Sequence, residues 1–180
     1  MKKLLRLITR NRRLWKQLPA DLGGGKICCS PEATLSVLKP GWSSEQALGL
    51  FDWARFYVKP GMRIWDLGSN QGFFTFAASF RAVGGEVIAF EPDPFLVSLL
   101  ESSIATGSHT GASIDVLPLA ISDSLHISRF LISGTDRTLN HLAEVKGNPR
   151  MGGTRESRPV MVVTLDWLCQ QLGKLWQTGN

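Results

Sequence analysis

Two short runs set acids and glycines where a ligand could meet backbone. In Asp66-Leu67-Gly68-Ser69-Asn70-Gln71-Gly72 an acid stands two residues ahead of a Gly-x-x-x-Gly spacing, and Glu91-Pro92 follows farther along. A carboxylate at Asp66 can hold an ammonium group directly or through water. Gly68 allows a ligand to approach the backbone closely. Gly72 lets a following helix pack tightly and present its N-terminal N–H groups, which suit a carboxylate. A carboxylate at Glu91 can accept hydrogen bonds from both hydroxyls of a ribose, and Pro92 stiffens the loop behind it. The spacing is not the Gly-x-Gly-x-x-Gly of dinucleotide sites, which makes room for a pyrophosphate. With 18 glycines in 180 residues, one Gly-x-x-x-Gly match means little. Its conjunction with two strand-ending acids carries the reading.

These residues need elements to hold them. Residues 63–67 read as a short strand, 73–81 as a helix closed by Gly84-Gly85, and 86–90 as a second strand. Pro94 suits the first turn of a helix running to about residue 106, and residues 114–120 read as a third strand. Strands alternating with helices, with apolar runs along the strands, predict a parallel sheet buried on both faces. Ligands of such sheets bind beyond the carboxyl ends of the strands, where Asp66 and Glu91 fall. Ala120, at the end of the third strand, is expected to border an adenine. Ahead of this unit, Ser43 and Gln46 have capping-box spacing for a helix to about residue 58. Beyond it, residues 127–132 and 160–164 read as strands and 164–175 as a helix.

A ligand with an amine, a carboxylate and an adenosine but no phosphate is S-adenosylmethionine (SAM). The runs Val58-Lys59-Pro60-Gly61, Asp66 to Gly72 and Ala89-Phe90-Glu91-Pro92-Asp93-Pro94, with Leu119-Ala120-Ile121-Ser122-Asp123 and Val163-Thr164-Leu165-Asp166-Trp167-Leu168, resemble the FkbM-type family of SAM-dependent methyltransferases over roughly residues 44–170. The resemblance implies an α/β, Rossmann-like class I methyltransferase fold, a three-layer sandwich, and methylation of a hydroxyl on a small molecule, sugar or lipid. It implies a cofactor site of Asp66, Gly68, Ser69, Asn70, Gly72, Glu91, Pro92 and Ala120. Ser103 replaces an asparagine usual in that family, and the strand that follows Asp166 there has no counterpart here. The fold is therefore expected to be incomplete at the C-terminus. No catalytic residue is assigned and no metal spacing is present. His109 is expected in solvent, and His126 and His141 at structural or surface positions.

Composition bounds the rest. At 43% hydrophobic and 19% charged the chain is an ordinary globular one. Its net charge of +5 is local: Lys2, Lys3, Arg6, Arg10, Arg12, Arg13 and Lys16 all precede the first acid, Asp21. Residues 2–18 read as a basic amphipathic helix and 19–42 as an irregular connection, which together form an N-terminal region (1–42) ahead of the SAM-binding domain (43–180). The expected partners are the acceptor, a membrane surface contacted by the basic helix, and a partner chain or second copy completing the sheet. Nucleic acid is disfavoured because the basic charge is confined to one end. Cys28, Cys29 and Cys169 make no disulfide framework, so a cytoplasmic location, peripheral to a membrane, is expected. The competing readings are a non-catalytic remnant or binding module of the same fold, and a nucleic-acid methyltransferase.

Overall fold

The computed structural model describes residues 5, 8–9, 11–145 and 153–177. Its centre is a parallel three-stranded sheet in the order β3 (Arg63–Leu67), β4 (Glu86–Phe90), β5 (Ser113–Leu117). Register runs from Arg63 against Glu86 to Leu67 against Phe90, and from Glu86 against Ser113 to Phe90 against Leu117. Helices α1 (Glu45–Tyr57), α2 (Phe73–Arg81) and α3 (Pro94–Ile104) alternate with the strands. Side chains of β4 alternate between two faces. Val87 and Ala89 join clusters with Ala78 and Phe76 of α2. Ile88 and Phe90 pack with Leu168 of α4 (Leu165–Gln177). Helices therefore cover both faces, giving the three-layer α/β arrangement with a Rossmann-like frame that the sequence predicts.

Local chemistry sets the helix ends. Asp93 accepts the Phe95 N–H at 3.0 Å and Pro94 opens α3. Ser44, one residue later than the capping-box reading, caps α1 by accepting the Ala47 N–H at 3.1 Å. Ala47, Phe51 and Ala54 then fall on one buried stripe.

Three further expectations change. The third strand stops at Leu117, short of residue 120, because Pro118 has no N–H with which to continue the ladder. Ala120 consequently lies in β6 (Ala120–Ile121), part of a second sheet. That sheet has the order β6-β9-β7-β8, with β7 (His126–Ser133), β8 (His141–Leu142) and β9 (Thr154–Val163). Of the helix expected over residues 2–18, Leu5 and Ile8 are helical, residues 2–4, 6, 7 and 10 lie outside the described residues, and the last part is instead β1 (Leu14–Gln17), antiparallel to β2 (Lys26–Cys29). A helical turn ties the Thr9 N–H to the Leu5 carbonyl, and Asn11, at φ +58°, turns the chain out of it. Residues 19–42 are no loose connection either. Leu22, Ile27, Cys29 and Val37 are buried in one cluster with Phe51, Phe76 and Leu100. No described helix is long and apolar enough to cross a membrane.

Candidate functional site

The loop between β3 and α2 is built from conformations its residues were chosen to allow. Gly68 and Gly72 have φ of +77° and +81°, and Asn70, a residue that tolerates this region, has φ +52°. At Gly68 a side chain would meet open space. At Gly72 a Cβ would come within 2.6 Å of both Phe76 and Leu100. Gly72 is thus the close-packing glycine and Gly68 the conformational one.

The loop's amides are turned inward. The Gly68 and Ser69 N–H groups donate to the Phe90 carbonyl at 2.9 and 3.1 Å. The Gly72 N–H donates to the Ser69 carbonyl at 2.8 Å, and the Gln71 N–H to Asn70 Oδ1 at 3.0 Å. The Asn70 N–H donates to Glu91 Oε2 at 2.8 Å, while Glu91 Oε1 accepts the Asp93 N–H, also at 2.8 Å. Gln71 is buried and its Oε1 accepts the Ser30 N–H, which fastens the loop to the end of β2. The amides of residues 68–72 therefore have partners within the protein already.

Two acids respond to burial. Glu91 is 4% exposed, and burial pushes its carboxyl up to about 7 against the help of its two amide donors. Burial also raises Asp66, opposed by the Thr75 hydroxyl that donates to Asp66 Oδ2.

A cavity of about 200 Å³ opens above this loop. Asp66, Gly68, Ser69 and Asn70 line it, opposite Gln46 and Leu50 of α1, Thr34 and Thr138. Four of the eight expected site residues are thus brought together. Gly72, Pro92 and Glu91 lie outside the lining, with Glu91 behind the loop, and Ala120 belongs to the second sheet. Thr34, Gln46, Leu50 and Thr138 are additions that no spacing in the sequence announces. His141 is absent from the lining, and its Nδ1 lies 3.1 Å from the Leu139 carbonyl. His109 is not in free solvent: it is half-buried and stacks on Phe76 with ring centroids 4.3 Å apart.

Beside the cavity sits a buried ion-pair network. Arg137 is 6% exposed and bonds Glu32 through Nε at 3.1 Å and Asp93 through a terminal nitrogen. Arg155 bonds the other oxygen of Glu32, and Asn140 Nδ2 donates to Asp93 at 2.9 Å. The Arg137 guanidinium also lies over the Phe95 ring at 4.3 Å. Burial would raise Glu32, but its bonds to Arg155 and Arg137 outweigh that and hold it below its ordinary value. Arg137 lies in the 3-10 turn Arg137–Leu139, so the network holds Thr138 at the cavity.

The donor set suits one end of SAM. Asp66 offers a carboxylate to a cation, and Thr34, Thr138, Gln46 and Asn70 offer neutral polar groups. The volume is below the roughly 300 Å³ at which ligand pockets begin, so it matches the methionine end rather than the whole molecule. Glu91, 4% exposed and bonded through both oxygens to backbone amides, does not face this cavity. No cluster that could hold a metal ion occurs among the described residues.

No protein-family model matches the chain, and no curated protein does. Among solved structures it is similar to the Pyrococcus abyssi tRNA (uracil-54, C5)-methyltransferase in complex with S-adenosyl-L-homocysteine, at 18% identity over 62% of this chain and 28% of that one, with a TM-score of 0.41. It is similar to the T. thermophilus 16S rRNA N2 G1207 methyltransferase in complex with AdoMet and guanosine at 17% identity, 59% and 27% coverage and a TM-score of 0.42. It is similar to Trm5b from Pyrococcus abyssi at 14% identity, 55% and 28% coverage and a TM-score of 0.40. The matched part spans little more than a quarter of each of those proteins. These likenesses are too partial to assign a family; the parallel β3-β4-β5 frame, covered by helices on both faces, is what makes the chain α/β.

Proposed function

We propose that this chain provides the cofactor-binding half of a SAM-dependent methyltransferase of the FkbM type, acting on a hydroxyl of a small molecule, sugar or lipid. The observation that carries this reading is the placement of Asp66. It lies near the carboxyl end of the parallel strand β3, lines a cavity, and is followed at once by the Gly68 turn, with Glu91 just beyond the next strand. Bound SAM supplies a methyl group on a sulfonium, whose transfer depends mainly on positioning. Asp66 would hold the amino group. Thr34 and Thr138 would shape the side from which an acceptor enters.

Calorimetric titration of the whole chain with SAM tests the proposal. Binding weakened about tenfold or more by Asp66→Ala supports it, that being the scale of a lost hydrogen bond to a charged group. A folded chain that binds no SAM refutes it. A second reading, a non-catalytic binding module of the same fold, draws on the two backbone amides that already occupy Glu91. SAM binding unaffected by Glu91→Gln, with no methyl transfer to any hydroxyl acceptor, is the outcome it expects.

A further inference from the structure

The stripe of α1 that forms one wall of the cavity continues past it. Gln46 and Leu50 line the cavity, and Trp53 and Tyr57 follow them on the same helix. Offsets of four, seven and eleven residues from Gln46 keep all four on one face. The two aromatic side chains are 63% and 65% exposed, and their rings meet with centroids 5.3 Å apart at an angle of 56°. Core packing accounts for neither ring, since the buried residues of α1 are Ala47, Phe51 and Ala54 on another stripe. At 1.5 Å per residue, Trp53 stands about 10 Å along the helix from Gln46. The charges of α1 are mostly acidic. Glu45 and Asp52 are exposed, and Arg55, the only cation of the helix, is held by Asp21 at 2.7 Å and Asp52 at 2.8 Å.

We propose that this stripe extends the acceptor site and that the acceptor is an uncharged oligosaccharide. The unit with the reacting hydroxyl sits at the cavity beside Gln46, and a neighbouring sugar lies on Trp53 and Tyr57. This role rests on the SAM reading of the cavity. A pyranose presents C–H bonds on its faces and hydroxyls around its rim. The C–H bonds suit the electron-rich face of an aromatic ring. The hydroxyls need polar groups beside that ring, and the Trp53 indole N–H, the Tyr57 hydroxyl and the Gln46 amide supply them. A lipid chain would cover those groups without satisfying them. Nucleic acid stacks on such rings, but here its phosphates would pass Glu45 and Asp52 with the cation of α1 already paired. A second copy of the chain would bring the same two acids face to face.

The test follows the Trp53 indole N–H of the full chain by NMR, assigned with Trp53→Phe, during titration with maltohexaose, cellohexaose and mannohexaose. At least one hexasaccharide shifts that signal, and glucose at the same concentration does not. Trp53→Ala and Tyr57→Ala each weaken the binding about fivefold or more, the scale of one lost ring contact. Leu48→Ser, an exposed apolar position on another face of α1, leaves it unchanged. Circular dichroism checks that each variant is folded. A chain that binds SAM but shows no response to any of the three sugars overturns this inference alone and leaves the cofactor reading standing. A sugar response in a folded chain that binds no SAM overturns the acceptor role together with that reading. Self-association that Trp53→Ala abolishes, or a short RNA or a neutral detergent micelle that shifts the Trp53 signal where the sugars do not, would also overturn it.

Discussion

The backbone N–H of Asn70 donates to Glu91 Oε2 at 2.8 Å, joining the loop after β3 to the acid that ends β4. With the Asp93 N–H on the other oxygen, Glu91 acts as a strut between two loops at the carboxyl edge of the sheet. A buried acid in that position is held by donors that favour its charge and by surroundings that oppose it more strongly.

Its titration gives the first prediction. Glu91 moves from 4.5 to about 7 on folding. Below the unfolded value it is protonated in both states and costs nothing. Between the two values the unfolded chain has released its proton and the folded chain has not, so stability falls as pH rises. Above the folded value the loss levels at no more than about 3 kcal/mol. Glu91→Gln removes the titrating group. The wild-type-minus-variant difference in urea unfolding free energy is therefore expected to drop between about pH 5 and about pH 8. A difference that stays flat, or rises, would show that Glu91 is ionised at its ordinary value.

The two loop glycines should behave differently. Gly72→Ala has to place a Cβ against Phe76 and Leu100 at φ +81°, and is expected to cost about 2–4 kcal/mol. Gly68→Ala meets open space and carries only the conformational cost, about 1–2 kcal/mol. Chemical denaturation of both variants checks the ranking. Equal losses would mean that α2 and α3 are less closely packed around Gly72 than the 2.6 Å approaches require.

Arg137 is expected to be the most sensitive surface-to-core charge in the protein. Arg137→Met leaves Asp93 with Asn140 and Glu32 with Arg155, each short of one buried partner. Breaking a buried pair from one side costs about 3–5 kcal/mol. Asp93→Asn in the same background should recover part of that loss by removing the stranded charge. Thermal unfolding of the single and double variants measures this, and a double variant no more stable than Arg137→Met would show that Asp93 is not the group left uncompensated.

The same residues show how far the sequence alone could be read. Residues 63–67, 73–81 and 86–90 have the predicted bounds because apolar runs of the right length are closed by glycine turns and a proline. Leu14 to Leu18 defeated the reading because Leu14, Trp15 and Leu18 satisfy a helical stripe and a strand's alternation about equally well. Tertiary pairing with residues 26–29 decided it. At the site, Asp66 and the glycines were legible because their spacing is local. The partners of Arg137 were not. Glu32 lies 105 residues away and Asp93 44, and nothing in either local sequence marks a charge that will be buried. Thr138 reaches the cavity through that network and was hidden for the same reason.

Thr75 supplies the last prediction, which bears on the proposed site itself. Its side chain is fully buried and its hydroxyl donates to Asp66, working against the burial that raises the acid. Thr75→Val keeps the shape and removes the donor. Asp66, followed by carbon-13 NMR of its carboxyl, should then titrate at higher pH than in the wild type. Stability near neutral pH should fall by about 1.5–3 kcal/mol, the scale of a hydrogen bond to a charged group. Because the folded value lies above the unfolded one, the deficit should shrink as pH drops and both states take up the proton. A cation seated on Asp66 acts in the opposite direction, favouring the ionised form. Saturating SAM is therefore expected to draw the Asp66 titration back down in wild type and variant alike. A titration that SAM leaves unmoved, in a chain that binds it, would place the amino group somewhere other than Asp66.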